Sequence, residues 1–235
     1  MIDSNTPYLF IGDGRLARHL QHYFQNQTIP YLSWSRSTNR DLGLLLDQCK
    51  KVLLCISDDA IADFYQTNYS PNSSQIWIHF SGSLSITGVQ SAHPLMAFGH
   101  DFLPLDLYPK IWFITEIGRL SFHDLFPELT NPNFSITPEQ KPFYHTWASL
   151  AGNLTTKLWV DYRDRLANAM NLPAEAIHTY LTGITQNILN DSNPLTGPTV
   201  RGDMQTLNRH LKSLENDEYR QLYEAFINLV LKDSK

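Results

Sequence analysis

The segment Phe10-Ile11-Gly12-Asp13-Gly14-Arg15-Leu16-Ala17 constrains the fold more tightly than any other stretch of the chain. Tyr8 to Ile11 read as a short apolar strand, and Leu16, Leu20 and Phe24 follow at helical spacing. Between strand and helix stands G-x-G-x-x-A. Gly12 permits a tight turn, Gly14 lets the backbone approach a pyrophosphate, and the small Ala17 lets helix and strand pack closely. A helix starting there presents unpaired N–H groups and a partial positive charge to an anion, and Arg15 adds a full one. Asp13 works against this unless its carboxylate turns away.

The same rhythm continues. Ile29 to Trp34 and Val52 to Ile56 read as strands, separated by a short helix from Leu42 to Cys49. Ser57 stands as an N-cap before Asp58 and Asp59, opening a helix that reaches Tyr65. Ile76 to Phe80, Val89 to Ala92 and Ile111 to Ile114 complete six strands. Strands alternating with helices predict an α/β Rossmann domain, a mostly parallel sheet with helices on both faces.

After Phe134-Ser135-Ile136 the pattern changes. Phe143, Trp147, Leu150, Leu154, Leu158, Leu166 and Met170 keep helical spacing until Asn171-Leu172-Pro173. Ile177, Leu181, Ile184 and Ile188 form a further stripe, and helices over Met204 to Leu214 and Glu218 to Leu231 end the chain. The expected division is a dinucleotide-binding domain over 1–137 and an all-helical C-terminal domain over 138–235. An all-helical unit rich in Leu, Tyr and Phe leaves apolar surface to cover, so a homodimer through it is expected.

The second strand ends in Trp34-Ser35-Arg36-Ser37. An NAD site would place Asp or Glu there for the ribose hydroxyls, whereas Ser35, Arg36 and Ser37 suit the 2′-phosphate of NADP. The expected cofactor-binding set is therefore Gly12, Gly14, Arg15, Ala17, Ser35, Arg36 and Ser37.

In such sheets ligands bind beyond the carboxyl ends of the strands. His79-Phe80-Ser81 and Ala92-His93-Pro94 reach that edge, which makes His79 and His93 candidate proton donors and Ser81 a candidate for orienting a carbonyl or imine. Tyr144-His145 and Asn153 share one face if a single helix carries them. Arg201 lies in Gly197-Pro198-Thr199-Val200-Arg201-Gly202-Asp203, where Asp203 is suited to cap the next helix. His145, Asn153 and Arg201 are thus the candidate substrate-cleft residues.

Bulk properties exclude other classes. With a net charge of -5 and no basic stripe, nucleic acid is not an expected partner. No apolar run approaches the ~20 residues of a membrane span, and no leader-like start is visible, so the expected setting is cytoplasmic. Cys49 and Cys55 have no CxxC partner and read as buried, reduced thiols. No HExxH pattern or Cys/His cluster announces a metal, and His19 and His22 are expected on a solvated face.

Together, GDGRLA, HFSGSL, AHPLMAFG, YHTWASLAGN and LTGPTVRGD resemble the Rossmann-like, predicted NADP-dependent oxidoreductases with a C-terminal helical domain of the DUF2520 type. GPTVRGD with the following His210-Leu211 is the most specific part. More distantly the chain is similar to pyrroline-carboxylate, ketopantoate and deazaflavin-dependent NADP reductases. The resemblance implies a small substrate in an interdomain cleft, with the nicotinamide near His79 to Ser83 and His93. It departs from the related hydroxyacid dehydrogenases, since Lys157 follows one glycine rather than a pair and the later asparagine is missing. Two alternatives stand beside a carbonyl or imine reductase: a non-catalytic NADP(H)-binding sensor, and hydride exchange with a deazaflavin.

Overall fold

A computed structural model describes residues 6–233. Backbone contacts divide the chain into two compact units, Met1–Leu158 and Trp159–Lys235.

The first unit is built on a seven-stranded sheet in the order β2-β1-β3-β4-β5-β6-β7. The strands are β1 (Tyr8–Ile11), β2 (Tyr31–Trp34), β3 (Lys51–Leu54), β4 (Ile76–His79), β5 (Gln90–Pro94), β6 (Phe113–Glu116) and β7 (Asn133–Ile136). β1 to β5 run parallel, whereas β6 is antiparallel to β5 and β7 parallel to β6. The expected mostly parallel Rossmann-type sheet is present, with a reversed pair at one end.

Alternation along β1 shows why both faces are covered. Tyr8 and Phe10 enter one core with Ala17, Leu20 and Phe24 of α1 (Arg15–Asn26). Leu9 and Ile11 enter the other, with Leu45 of α2 (Leu42–Leu46) and Ile61 of α3 (Asp58–Asn68). A strand buried on both sides needs apolar residues at every position, and β1 and β3 approach that pattern. The exception in β3 is Lys51, whose ammonium donates to the carbonyls of Leu125 and Asp124 at 2.6 and 3.0 Å. These belong to α4 (Phe122–Leu125), whose C-terminal carbonyls favour a cation.

α1 does not present the expected solvated histidines. His19 is 1% exposed, pairing through Nδ1 with the Tyr108 hydroxyl at 2.8 Å and through Nε2 with the Gly99 carbonyl at 3.2 Å. His22 stacks on Phe102 at 4.1 Å between ring centroids. The segment between β5 and β6 folds over α1, burying His19 and partly covering His22.

The stretch expected as one long helix is α5 (Gln140–Ser149), a π-helical turn (Leu150–Leu154) and α6 (Thr155–Met170). α5 belongs to the first unit because Lys141 and Tyr144 hydrogen-bond to residues of β5. The unit border thus falls at 158/159, while the change of sequence rhythm falls at 137/138.

The second unit takes up the rest of α6 with α7 (Ala174–Asn190), α8 (Met204–Ser213) and α9 (Arg220–Asp233). Ile177, Leu207 and Ile227 are its buried apolar anchors. Arg165 pairs with Asp217 and Glu218, and the Tyr219 hydroxyl donates to Asp161 at 2.5 Å. The GPTVRGD loop bends through positive φ at Gly197 and Gly202, and the Asp203 carboxylate accepts the Thr206 N–H at 3.1 Å, as expected of an N-cap. Among the described residues no helix is long and apolar enough to cross a membrane.

Candidate active site

Two sets of polar groups lie on the carboxyl edge of the parallel strands. The first is the glycine turn. Gly12 has φ +111, and a Cβ there would meet the Cys55 carbonyl oxygen at 2.4 Å, so the turn is closed to any side chain. Gly14 is the opposite case, since a Cβ there would meet nothing within 4 Å. It occupies the N-cap of α1, no side chain caps that end, and no acidic residue stands in the first turn. The leading N–H groups of a helix lack intrahelical partners, so this end can take an anion. Ala17 is fully buried beneath it.

Beyond β2, Thr38 locks a tight turn by accepting the Ser35 N–H at 3.2 Å and donating to the Ser35 carbonyl at 2.7 Å. Arg36 is exposed on that turn, and the Ser35 and Ser37 hydroxyls pair at 2.8 Å. The Asp13 carboxylate accepts the Ser37 hydroxyl at 3.3 Å. It is therefore drawn toward the end of β2, where it faces the same loop as Arg36. These residues fit a dinucleotide: a tight glycine turn, an open helix end and a preformed polar loop. Asp13 is the one member of opposite sign.

The second set is a row of buried polar residues across β4, β5 and β6. His79 pairs in register with Ser91, and Glu116 follows Thr115, the partner of Ala92. His79, Ser91 and Glu116 are 0%, 1% and 4% exposed. Lys141 of α5, 2% exposed, closes the row by donating to the Ser91 hydroxyl and lying 3.7 Å from Glu116. Glu116 also accepts from Arg119 and Ser85, each at 2.9 Å. Burial pushes Lys141 down to about 8, against the upward pull of Glu116.

His79 Nδ1 accepts the Ser81 N–H at 3.2 Å, which leaves the ring proton on Nε2 in the neutral form. That nitrogen has no hydrogen-bond partner among the described residues. Burial first, then Lys141, Arg119 and His93, push His79 down to about 3. The Ser81 hydroxyl donates to Asp58 at 2.5 Å and accepts the N–H groups of Ser83 and Leu84. It shapes the loop after β4, with Asp58 at the start of α3 as its anchor.

That loop presses Gly82 against two imidazoles. A Cβ at Gly82 would meet His145 Cδ2 at 2.4 Å and His93 Cδ2 at 3.1 Å. His93 and His145 stand edge to face, 5.5 Å between centroids. His93 Nδ1 pairs with the Tyr144 hydroxyl at 2.8 Å. Burial and the neighbouring His145 and Lys141 push His93 down to about 4, and burial pushes Tyr144 up to about 12. Near neutral pH the phenol keeps its proton and the imidazole is uncharged. The O–H then donates to Nδ1, and the His93 Nε2–H is a donor.

Of the residues expected from sequence, His79, Ser81, His93 and His145 come together. Asn153 is exposed on the π-helical turn, and Arg201 is exposed in the second unit's loop. Lys141, Glu116, Ser91 and Asp58 were not anticipated as site residues. Lys141, Tyr144 and His145 do share an i, i+3, i+4 face, a signal visible in the sequence. Among the described residues no group of His, Cys, Asp and Glu could hold a metal ion.

A Rossmann-type unit with a glycine turn and a polar carboxyl edge, followed by helices, defines the class. The family model Domain of unknown function (DUF2520) matches residues 116–228, a span that begins at the end of β6 and includes Lys141, Tyr144 and His145. Its fold is similar to a Bacteroides fragilis protein provisionally named an NADP oxidoreductase, with 20% identity and TM-score 0.78 over 97% of this chain and 98% of that one. It is also similar to pyrroline carboxylate reductase of Plasmodium falciparum with NADP bound, with 14% identity and TM-score 0.60 over 99% and 98%. An Aspergillus terreus imine reductase in complex with NADPH4 matches with 12% identity and TM-score 0.60 over 98% and 95%. At these identities the likeness is one of fold.

Proposed function

We propose that the chain is an NADP(H)-dependent oxidoreductase reducing a small carbonyl or imine, with His93 and Tyr144 as its proton-donating pair. One observation carries the reading: an uncapped helix end behind a glycine turn shares the carboxyl edge of one sheet with a half-buried, uncharged His–Tyr pair. The solved structures of similar fold that hold NADP, NADPH4 or NADPH support the cofactor.

Gly12 shapes the turn, while Gly14, Arg15 and the N–H groups of the first helical turn would hold the pyrophosphate, with Ala17 fixing the helix against the sheet. Ser35, Arg36 and Ser37 would hold the 2′-phosphate. When bound, the nicotinamide supplies the hydride. The protein supplies position and a proton. His93 Nε2–H binds the substrate oxygen or nitrogen, and as that proton leaves, the Tyr144 hydroxyl proton moves onto Nδ1. His79 and Ser81 act by position, holding Gly82 against His93 and His145. Asn153 and Arg201 are not required.

In the second unit Tyr180, Ile188, Leu189 and Leu229 are 55–77% exposed, and we place a homodimer contact there, read as twice 27.0 kDa by light scattering. The buried, unpaired Cys49 and Cys55 suit a reducing cytoplasm.

Calorimetric titration with NADPH and NADH tests the cofactor: NADPH binds about tenfold tighter or more, and Arg36→Ala narrows the gap. Single-turnover oxidation of bound NADPH against carbonyls and imines tests the chemistry. Tyr144→Phe and His93→Ala each lower the rate by about 10²-fold or more. Tight NADPH binding without turnover on any member of the panel would instead mark a sensor.

A further inference from the structure

We propose that the substrate carries a bulky, uncharged apolar group, an aryl ring or branched alkyl, lying in a groove along α5 beside the His93–Tyr144 pair. The inference rests on the reading of that pair as the reacting site.

A groove of about 450 Å³ runs between the end of β5, the end of β7 and one side of α5. Leu95, Ile136, Phe143 and Trp147 give it apolar walls, and none of its lining residues carries a charge. Its volume falls in the range of small-molecule sites. Phe143 is 71% exposed, Trp147 59% and Leu95 46%. One turn apart on α5, the two aromatic rings stand 6.3 Å between centroids.

What ties this groove to the chemistry is Tyr144. It lines the groove, and its hydroxyl is the one paired with His93. Leu95 follows His93 by two positions at the end of β5, so both project to the face that α5 covers. A ligand filling the groove therefore brings an apolar group to within one side chain of the donor pair.

The charge pattern defines what such a ligand is. A carboxylate substituent would need a cation in the groove. Lys141, the buried cation of α5, is turned to Ser91 and Glu116. Gln140, whose side-chain oxygen accepts the Thr137 N–H at 2.9 Å, offers the groove only a neutral amide donor, which does not balance a carboxylate's charge. An aryl ketone or its imine fits these walls, and a keto acid does not.

The test uses the full chain, with and without NADPH, and three probes: 2-tetralone, acetone and pyruvate. Saturation-transfer NMR should show 2-tetralone binding in clear preference to the other two. Phe143→Gln and Trp147→Gln should each weaken it about tenfold while leaving the melting temperature and NADPH affinity at parental values. Equal binding of acetone, or a preference for pyruvate, overturns the inference. So do variants that halve the mass in light scattering yet leave 2-tetralone binding intact, since the groove would then seat a second copy. NADPH binding separates the two claims. If NADPH binds and 2-tetralone does not, only the groove assignment falls. If 2-tetralone binds in the groove but NADPH does not bind, the groove assignment holds and the oxidoreductase reading falls.

Discussion

At the amino edge of the sheet, Lys51 is 5% exposed, and its ammonium reaches Leu125 O, Asp124 O and the Tyr8 hydroxyl. Tyr8 in turn donates to Glu128 at 2.7 Å. Every donor in that cluster has an acceptor. At the carboxyl edge, His79 is just as buried, yet its Nε2 has no partner among the described residues, and the leading end of α1 has no side-chain cap. Buried polar groups are expensive unless satisfied. The Lys51–Tyr8 cluster meets that demand internally and ties α4 to the sheet. The carboxyl edge leaves donors open beside a glycine turn, the arrangement expected where a ligand completes the bonding.

The sharpest way to break this contrast is at the two glycines. Gly12→Ala sets a methyl against the Cys55 carbonyl at a φ of +111. Strain and overpacking together should cost about 4 kcal/mol or more, read by urea unfolding. Gly14→Ala meets open space, so its stability should stay within about 0.5 kcal/mol of the parent. Its NADPH affinity should still fall about tenfold, because the methyl stands where the pyrophosphate approaches. A Gly14→Ala protein that binds NADPH normally would remove the turn from the cofactor site.

At the amino edge, Lys51→Met should cost about 2–3 kcal/mol by leaving the Leu125 and Asp124 carbonyls short of a donor. NADPH affinity should not move. A loss of binding in a still-folded Lys51→Met protein would show that the two edges are coupled, and the contrast between them would fail.

The legibility of the two edges in the sequence was unequal. The glycine turn is local, so six consecutive residues announced its shape. The buried row was not legible, since Lys141 meets Ser91 and Glu116 through |i−j| separations no periodicity records. Lys141 lies in a polar stretch that reads as an ordinary helix start. His19 and His22 misled for the same reason, because an aperiodic segment between β5 and β6 folds over them. The π-helical turn at Leu150–Leu154 broke the face that seemed to unite His145 with Asn153. Strand direction is also invisible to hydropathy, so the reversal at β6 emerged only from pairing.

Acid sharpens the contrast through the carboxyl edge. His79 and His93 are held down to about 3 and about 4, mainly by burial. Between the ordinary histidine value near 6.5 and those values, the unfolded chain takes up protons that the folded chain refuses. Stability therefore falls as pH drops through that window. Each histidine contributes a slope of about 1.4 kcal/mol per pH unit once the pH is well below 6.5. Urea unfolding at pH 7, 6 and 5 should show a shallower decline in His79→Gln and in His93→Gln than in the parent. An unchanged slope would mean that these rings are already protonated in the native state, which would remove the neutral-donor role of His93.

The smallest expected effect tests the one residue that opposes its surroundings. Asp13 accepts the Ser37 hydroxyl and so brings a carboxylate to the loop that presents Arg36. A ribose bearing a free 2′-hydroxyl could donate to that carboxylate, whereas a 2′-phosphate is repelled by it. Asp13→Asn removes the charge and keeps an oxygen for Ser37. At an exposed site the gain is modest, and the ratio of NADPH to NADH affinity should rise about threefold, less in high salt. Arg36→Ala should move the same ratio the other way. If Asp13→Asn instead weakens NADPH and NADH alike, the carboxylate serves the turn itself, and its bond to Ser37 is part of the scaffold that shapes the cofactor loop.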